Sequence, residues 1–311
     1  MKIKNFIKEN YKFIILMILI VLFFNVKLPY YIMAPGGTIN ITDRVVMDNY
    51  NKKSKGSLNM LYVSEYEGTP ASLLLAKLKS YDIESNKERQ ISNESVKEIN
   101  RRNTIMRDNS LDIATMVAYT QAGKSITIKE KKNVVIARTK DNGLEVGDII
   151  LSADNTTCED VNDIKKIINN KEKEVNSKIY LESNSKVVGV VIVTEYDYDI
   201  DPKIDIKFKN SESGASGGLM LTLTIYNAIT DEDIIKDRKI AGTGTISYDG
   251  TVGEIDGIKY KIMGAAKDNV KIVFVPTANY EEAIMTKNKY KYDLEIVRVD
   301  NFKEAIEYLK K

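Results

Sequence analysis

The chain contains no histidine, so a nucleophilic serine in it must find another base. A serine hydroxyl is a weak nucleophile at neutral pH, and lysine can take its proton once the ammonium has been made easy to deprotonate. Two segments supply such a pair. Ser216 stands in the run Gly214, Ala215, Ser216, Gly217, Gly218, directly before a mostly apolar helical stretch, 219–229. Small neighbours let a carbonyl group approach the backbone, and N–H groups at a helix N-terminus can stabilise an oxyanion. The same run also reads as a glycine-rich turn in which Ser216 caps the helix. The second segment carries Lys259 and Lys261 among Ile255, Ile258, Ile262 and Met263. A lysine base needs a pKa lowered from near 10.4 toward about 7 to 8, which burial among apolar groups provides. Helical periodicity alone does not separate Lys259 from Lys261.

Composition narrows the remaining chemistry. The 46 basic and 44 acidic residues are mixed along the chain and leave a net charge of +2, so nothing favours nucleic acid as a partner. With one cysteine, Cys158, and no histidine there is no disulfide and no zinc ligand set, and no calcium loop motif occurs. No cofactor is expected. Gly123, Lys124 and Ser125 resemble the end of a phosphate-binding loop, but the position five before Gly123 is Ala118 rather than glycine. The spacing fails, and the segment reads as a helix stop.

The N-terminus carries a membrane signal. Residues 13–24 are unbroken apolar sequence, preceded by Lys2, Lys4, Lys8 and Lys12 against a single Glu9. Twelve residues fall short of the roughly 20 that span a bilayer, but the run can be extended through Val26, a snorkelling Lys27 and residues 28–34, with Tyr30 and Tyr31 at the far interface. The competing reading is a cleaved signal peptide, although no small-x-small site closely follows Phe24. The expectation is an uncleaved anchor over 1–35, with the N-terminus cytoplasmic and residues 36–311 outside.

Beyond it, 36–125 reads as a membrane-proximal α/β segment, with a strand at 56–64, a helix from Pro70 and a second helix over 93–122. From Ile126 to 197 short strands dominate: 126–128, 134–137, 148–152, 178–181 and 187–194, interrupted by a helix at 159–169. Residues 198–311 form a mixed α+β block. Ile200, Pro202, Ile204, Ile206 and Phe208 alternate with charge as a half-buried strand, and further strands are expected at 271–275 and 294–299. Asn279 with Glu282, and Asn301 with Glu304, fit capping boxes. The strand near 58–63 is a candidate to complete the sheet of this block, which would make 126–197 an insertion.

Two resemblances organise these pieces. The stretch 133–138, then 142–155 with its core at Leu144, Gly147, Asp148, Ile150 and Leu151, resembles bacterial PDZ domains. That resemblance implies binding of an extended peptide as an added strand. Residues 214–218 and the run Thr243, Gly244, Thr245, Ile246, then Gly250, Val252 and 255–261 resemble the proteolytic domain of the Lon family, in register on Ser216. This resemblance implies that Lys261, not Lys259, is the catalytic lysine and that Thr243 helps to orient it, with Gly214, Ala215 and Gly217 supporting the loop. The sequence departs from the family where Ala215 replaces proline, Gly217 replaces alanine and Ser213 stands where an acidic residue is usual; Glu212 is a neighbouring substitute. No ATPase module precedes the block, so no ATP is expected.

The whole arrangement is similar to the membrane-anchored PDZ-Lon peptidases of Gram-positive bacteria. The fold class implied is α+β: an N-terminal transmembrane helix, a PDZ-like β-rich domain and a Lon-type proteolytic domain. The function implied is ATP-independent serine endopeptidase action on exported peptides or membrane-associated proteins, with peptide and membrane as partners and no nucleic acid. The alternative is a non-catalytic PDZ adaptor on a degenerate Lon scaffold.

Overall fold

A computed structural model describes residues 2–48, 55–91, 94–138, 143–153, 156–158, 163, 179–183 and 186–311. From the N-terminus the chain forms α1 (Lys2–Asn25), β1 (Tyr30–Asn40), β2 (Val45–Met47), β3 (Ser57–Glu67), α2 (Pro70–Leu78), β4 (Asp82–Ser85), α3 (Asn86–Arg89) and α4 (Val96–Ala122). Strands β5 (Ser125–Arg138), β6 (Ile149–Ile150), β7 (Ser152–Ala153), β8 (Thr156–Thr157), β9 (Ile179–Ser183), β10 (Lys186–Asp201) and β11 (Ile204–Ile206) follow. Then come α5 (Gly218–Ile229), β12 (Lys239–Gly242), β13 (Thr245–Ile246), β14 (Val252–Gly253), α6 (Ile258–Lys267), β15 (Ile272–Pro276), α7 (Tyr280–Tyr290), β16 (Glu295–Val299) and α8 (Phe302–Lys310). The chain divides into two compact units, one of residues 1–35 and 63–89, the other of 36–62 and 90–311. The segment 36–125 is thus shared between them.

In the first unit, α1 holds the apolar run 13–24, whose side chains are almost all exposed. At 1.5 Å per residue those twelve residues cover about 18 Å, against a hydrocarbon core of about 30 Å. No helix among the described residues is long and apolar enough to cross a membrane. The extension of the anchor through 28–34 does not occur. Residues 30–33 pair antiparallel with β4, Tyr30 opposite Ser85 and Met33 opposite Asp82. Ile32 and Ala34 are buried while Tyr31 and Met33 are only half-buried, an alternation with the period of a strand. Tyr31, expected at a membrane interface, instead lies 3.7 Å from the Arg89 guanidinium, ring centroid to Cζ. In α2, Pro70 opens the helix and Thr69 and Ser72 form a reciprocal cap.

The second unit is built on parallel strands. β12 lies between β3 and β15, with Ile240 opposite Leu58 and Ile272, and β15 continues the order to β16. Neighbouring strand residues face opposite sides of a sheet, so Ile240 and Phe274 join the core formed with α4, α5 and α8. Ala241, Val273 and Val275 join the core on the other face with Ile258 and Ile262 of α6 and Ala283 of α7. α5 is buried almost all round, which fits its position between the sheet and α4.

Several elements differ from the sequence reading. α4 is capped by Ser95 with Glu98, a box the sequence contains, and ends at Gly123 with φ of 63°; Asn93, the expected start, lies outside the described residues. Strands expected at 126–128 and 134–137 are one strand, β5. It sits in the order β6, β5, β10, β9, and Ile105 and Met106 of α4 pack with its Val134 and Ile136. The expected helix at 159–169 lies outside the described residues apart from Asp163. The strand over 199–208 is broken at Pro202, which has no N–H for a ladder; β11 instead pairs with β2, Ile204 opposite Met47. Asn301 caps α8 by accepting from the Glu304 N–H at 3.1 Å. Asn279 does not cap α7, because its amide is committed to both backbone groups of Ile255 at 3.0 and 2.8 Å.

Candidate active site

The Ser216 loop is fixed from both ends. Gly214 has φ of 87°, a left-handed conformation suited to glycine, and its N–H donates to the Asn103 carbonyl at 2.9 Å. At the other end Gly217 is the N-cap of α5 and no side chain caps the helix, so Ser216 does not serve as the cap that a structural turn would need. A Cβ on Gly218 would lie 2.7 Å from Ile246 Cγ2 and 2.8 Å from its backbone nitrogen. The start of α5 and β13 therefore approach closely enough to exclude a larger residue at that position.

Thr243 lies where the chain leaves β12 and is fully buried. Its backbone N–H donates to the Phe274 carbonyl at 3.1 Å, which anchors it to β15. Its hydroxyl donates to the Ser216 carbonyl oxygen at 3.0 Å and accepts from Lys261 Nζ at 3.0 Å. The Ser216 carbonyl also accepts the Gly244 N–H at 2.8 Å. One threonine hydroxyl thus touches both segments singled out by the sequence.

Lys261 projects from the first turn of α6 and is 3% exposed. Burial pulls its pKa down from 10.5 to about 8, against a weaker opposing influence from the Asp256 carboxylate. Lys259 is half-buried, and its ammonium lies 4.7 Å from the centroid of the Tyr260 ring. The two lysines that periodicity left equivalent are thus separated by burial. The Ser216 hydroxyl makes no hydrogen bond to Lys261 or to any other described residue; the two groups are linked through Thr243. The N–H groups of Ser216 and Gly217 are likewise unbonded among the described residues, while Gly218 N–H is turned back to Ala215 O at 3.2 Å. Unengaged N–H groups beside a serine at a helix start are suited to receive an oxyanion.

Glu212 does not face this pair. Both oxygens of its carboxylate are gripped by Arg44, with Nη2 to Oε1 at 2.9 Å, and the Lys209 N–H donates to it at 2.9 Å. Although burial works against ionisation, these bonds hold its pKa below the ordinary value. Glu212 is a brace for the loop rather than an acid near Lys261. Ala215 and Gly217 both lie in the loop. A Cβ on Gly217 would meet Met60 Sδ at 2.3 Å, which accounts for glycine there beside this particular methionine. Sequence reasoning missed Met60 and the face of α4 that contacts the loop. The signal available for the latter was the helical spacing of Asn103, Arg107 and Ser110, which carries no chemistry until the loop is seen against it.

A parallel sheet with helices on both faces carries a serine at a helix start and a buried lysine joined to its backbone by a threonine, an arrangement compatible with serine–lysine hydrolysis. Residues 199–310 match the Lon protease (S16) C-terminal proteolytic domain. The chain is 30% identical over 133 residues to Lon protease of Mesomycoplasma hyopneumoniae strain 232, covering 42% of this chain and 14% of that protein. It is 28% identical over 121 residues to Lon protease of Campylobacter jejuni, covering 35% and 15%. It is 31% identical over 104 residues to the archaeal Lon protease of Halobacterium salinarum, covering 33% and 15%. The C-terminal region is therefore similar to the proteolytic domain of Lon proteases. The chain spans only about a seventh of the length of these curated relatives.

Proposed function

We propose that the protein is a membrane-attached, ATP-independent serine endopeptidase acting on exported peptides or membrane-associated proteins. The observation that carries the reading is Lys261: a buried lysine with its pKa lowered to about 8 and bonded to the threonine that also holds the Ser216 peptide. A base poised near operating pH is what proton transfer from a serine requires. Neutral Lys261 has two N–H donors and one lone pair. Donation to Thr243 leaves the lone pair for the Ser216 hydroxyl, which closes onto it when substrate completes the site, since catalytic hydrogen bonds often form only in the complex. The serine oxygen attacks the peptide carbonyl, the Ser216 and Gly217 N–H groups receive the oxyanion, and Lys261 returns the proton to the leaving amine. Water then releases the acyl group, with Lys261 again as base.

The four-stranded antiparallel sheet around β5 and β10, with the turn that leads to β6, supports a PDZ-like role in holding an extended segment of substrate. Membrane attachment is supported by the exposed apolar side chains of α1, and by Leu74, Leu75 and Leu78, exposed on α2 of the same unit. In this reading the N-terminus is cytoplasmic and the protease lies outside the membrane.

Cleavage of a fluorogenic casein by the full chain in detergent tests the chemistry. Wild type and Lys259→Ala should cleave, and Ser216→Ala and Lys261→Ala should not. Absence of wild-type cleavage, together with no binding of a peptide boronate, would turn the reading to a non-catalytic peptide-binding adaptor. For attachment, the protein should resist carbonate extraction from membranes. Release by carbonate would sink that part.

A further inference from the structure

We infer that α4 is a strut that sets the oxyanion-binding side of the Ser216 loop, with Arg107 and Ser110 as positioning residues, and that it passes the placement of the β5–β10 sheet to the loop. The inference rests on Ser216 being the nucleophile. Asn103, Arg107 and Ser110 are four and then three residues apart, so they share one face of α4. Each meets the loop. Asn103 O accepts from Gly214 N–H at 2.9 Å, Arg107 Nη1 donates to the Glu212 carbonyl at 2.9 Å, and Ser110 Oγ donates to the Ala215 carbonyl at 3.2 Å.

The last of these contacts has the most direct chemical meaning. The carbonyl of Ala215 and the N–H of Ser216 belong to one planar trans peptide and point in opposite directions. The carbonyl is held by Ser110 from α4 together with the Gly218 N–H at 3.2 Å, and this orients the Ser216 N–H to the opposite side of the peptide, where an oxyanion would form. Ser110 is 5% exposed, so water does not readily replace its hydroxyl at that carbonyl.

Other positions of α4 hold the inserted sheet. Asn109 Nδ2 donates to the Thr194 carbonyl at 2.5 Å, and Asp112 accepts from the Tyr198 hydroxyl at 3.2 Å and the Tyr196 N–H at 3.5 Å, all on β10. Arg138 of β5 donates to Glu98 at 2.9 Å, and Ile105 and Met106 pack with Val134, Ile136, Val191 and Val193. A displacement of the sheet thus has a contiguous route of hydrogen bonds and packed side chains to the nucleophile loop.

The test uses the full chain in detergent and the rate at which a fluorophosphonate labels it, with kcat and KM for a fluorogenic peptide measured alongside. Labelling of wild type and not of Ser216→Ala is the control; if it fails, the reading of Ser216 falls, and this inference with it. With that control met, Ser110→Ala and Arg107→Met should each label about ten-fold or more slowly and lose kcat while KM holds, since only the oxyanion side is disturbed. Arg107 is partly exposed, so its variant stays informative if Ser110→Ala fails to fold. Wild-type labelling in the folded variants would overturn the positioning role. Asn109→Ala combined with Asp112→Ala, which touches only the sheet side, should also slow labelling; an unchanged rate would overturn the coupling.

Discussion

Two regions of the second unit treat lysine in opposite ways. In the β5–β10 ribbon, Lys129 lies 2.7 Å from Asp199, and the two side chains are 50% and 66% exposed. The hydrogen bond with Asp199 raises the Lys129 pKa. In the core around the parallel sheet, Lys261 is 3% exposed, has no salt bridge among the described residues, and is pulled down to about 8 by burial. The ribbon keeps its cation wet and paired, where it contributes little beyond solubility. The core withdraws its cation from water and gives it only a hydroxyl partner, which destabilises the charged form and creates a base. The lysine proposed as base is the one that makes no salt bridge among the described residues.

Replacing Lys261 should expose this contrast most strongly. Lys261→Met removes the base and should lower peptidase activity by about 100-fold or more. It should also stabilise the fold at neutral pH. The native-state pKa, about 8, lies below the unfolded value of 10.5, so between these limits the unfolded chain binds the proton that the native one has lost. Stability of the wild type therefore rises with pH through that window, and below it the full penalty is present, about 3 kcal/mol at roughly 1.4 kcal/mol per pH unit. Chemical denaturation of the full chain at pH 7.5 and at pH 10.5 checks this. The wild type should gain stability between the two, and Lys261→Met should lose that gain. An unchanged pH dependence would place the native lysine in water. Activity of the wild type should rise as pH increases through about 8, because the deprotonated amine is the active form.

Thr243 sharpens the comparison by asking how a buried lysine is aimed. Thr243→Val keeps the shape but removes the bonds to Lys261 Nζ and the Ser216 carbonyl, both 3.0 Å. Activity should fall by about ten-fold or more, while Thr243→Ser retains most of it. Because the hydroxyl holds one proton of the amine, its loss should slow fluorophosphonate labelling even at a pH where Lys261 is neutral. Full recovery at high pH would mean that Thr243 acts only on the pKa.

The same contrast explains how much was legible in the sequence. The serine loop stands out because no histidine competes for the role of base, but its residues alone also read as a glycine-rich turn capped by Ser216, and only the resemblance favours a nucleophile. Lys261 could be separated from Lys259 by resemblance, but not by pattern. Burial of a lysine depends on which helix face meets the sheet, and Ile255, Ile258 and Ile262 bracket both candidates. β1 was misread because a strand that opens Tyr-Tyr-Ile-Met-Ala directly after an apolar helix looks like more of the same hydrophobic run until β4 is found beside it. Asn279 was misread as a cap because its true partner, Ile255, is 24 residues away in the chain. Local rules located elements; the contacts that tune the site join segments remote in sequence.

A gentler disturbance of the core is Gly217→Ala. The added Cβ would stand 2.3 Å from Met60 Sδ, the end of a flexible side chain, so Met60 must swing aside. The expected cost is about 1 kcal/mol of stability, with a loss of activity of a few-fold, and Met60→Val in the same chain should recover most of both. Thermal unfolding and casein cleavage of the single and double variants measure the coupling. Additive effects would show that Gly217 answers to backbone geometry and not to Met60.

The smallest effect should come from the ribbon. Lys129→Met breaks the pair with Asp199, yet both side chains lie largely in water and the strand ladder of β5 and β10 is made of backbone bonds. Water and salt replace the lost partner at once. Casein cleavage and thermal midpoint should match the wild type within error, and raising the salt concentration should affect the two proteins alike. A loss of activity approaching that of Lys261→Met would break the division drawn between the two regions, because it would mean that a solvated, paired lysine on the β5–β10 sheet takes part in the chemistry proposed for the buried one.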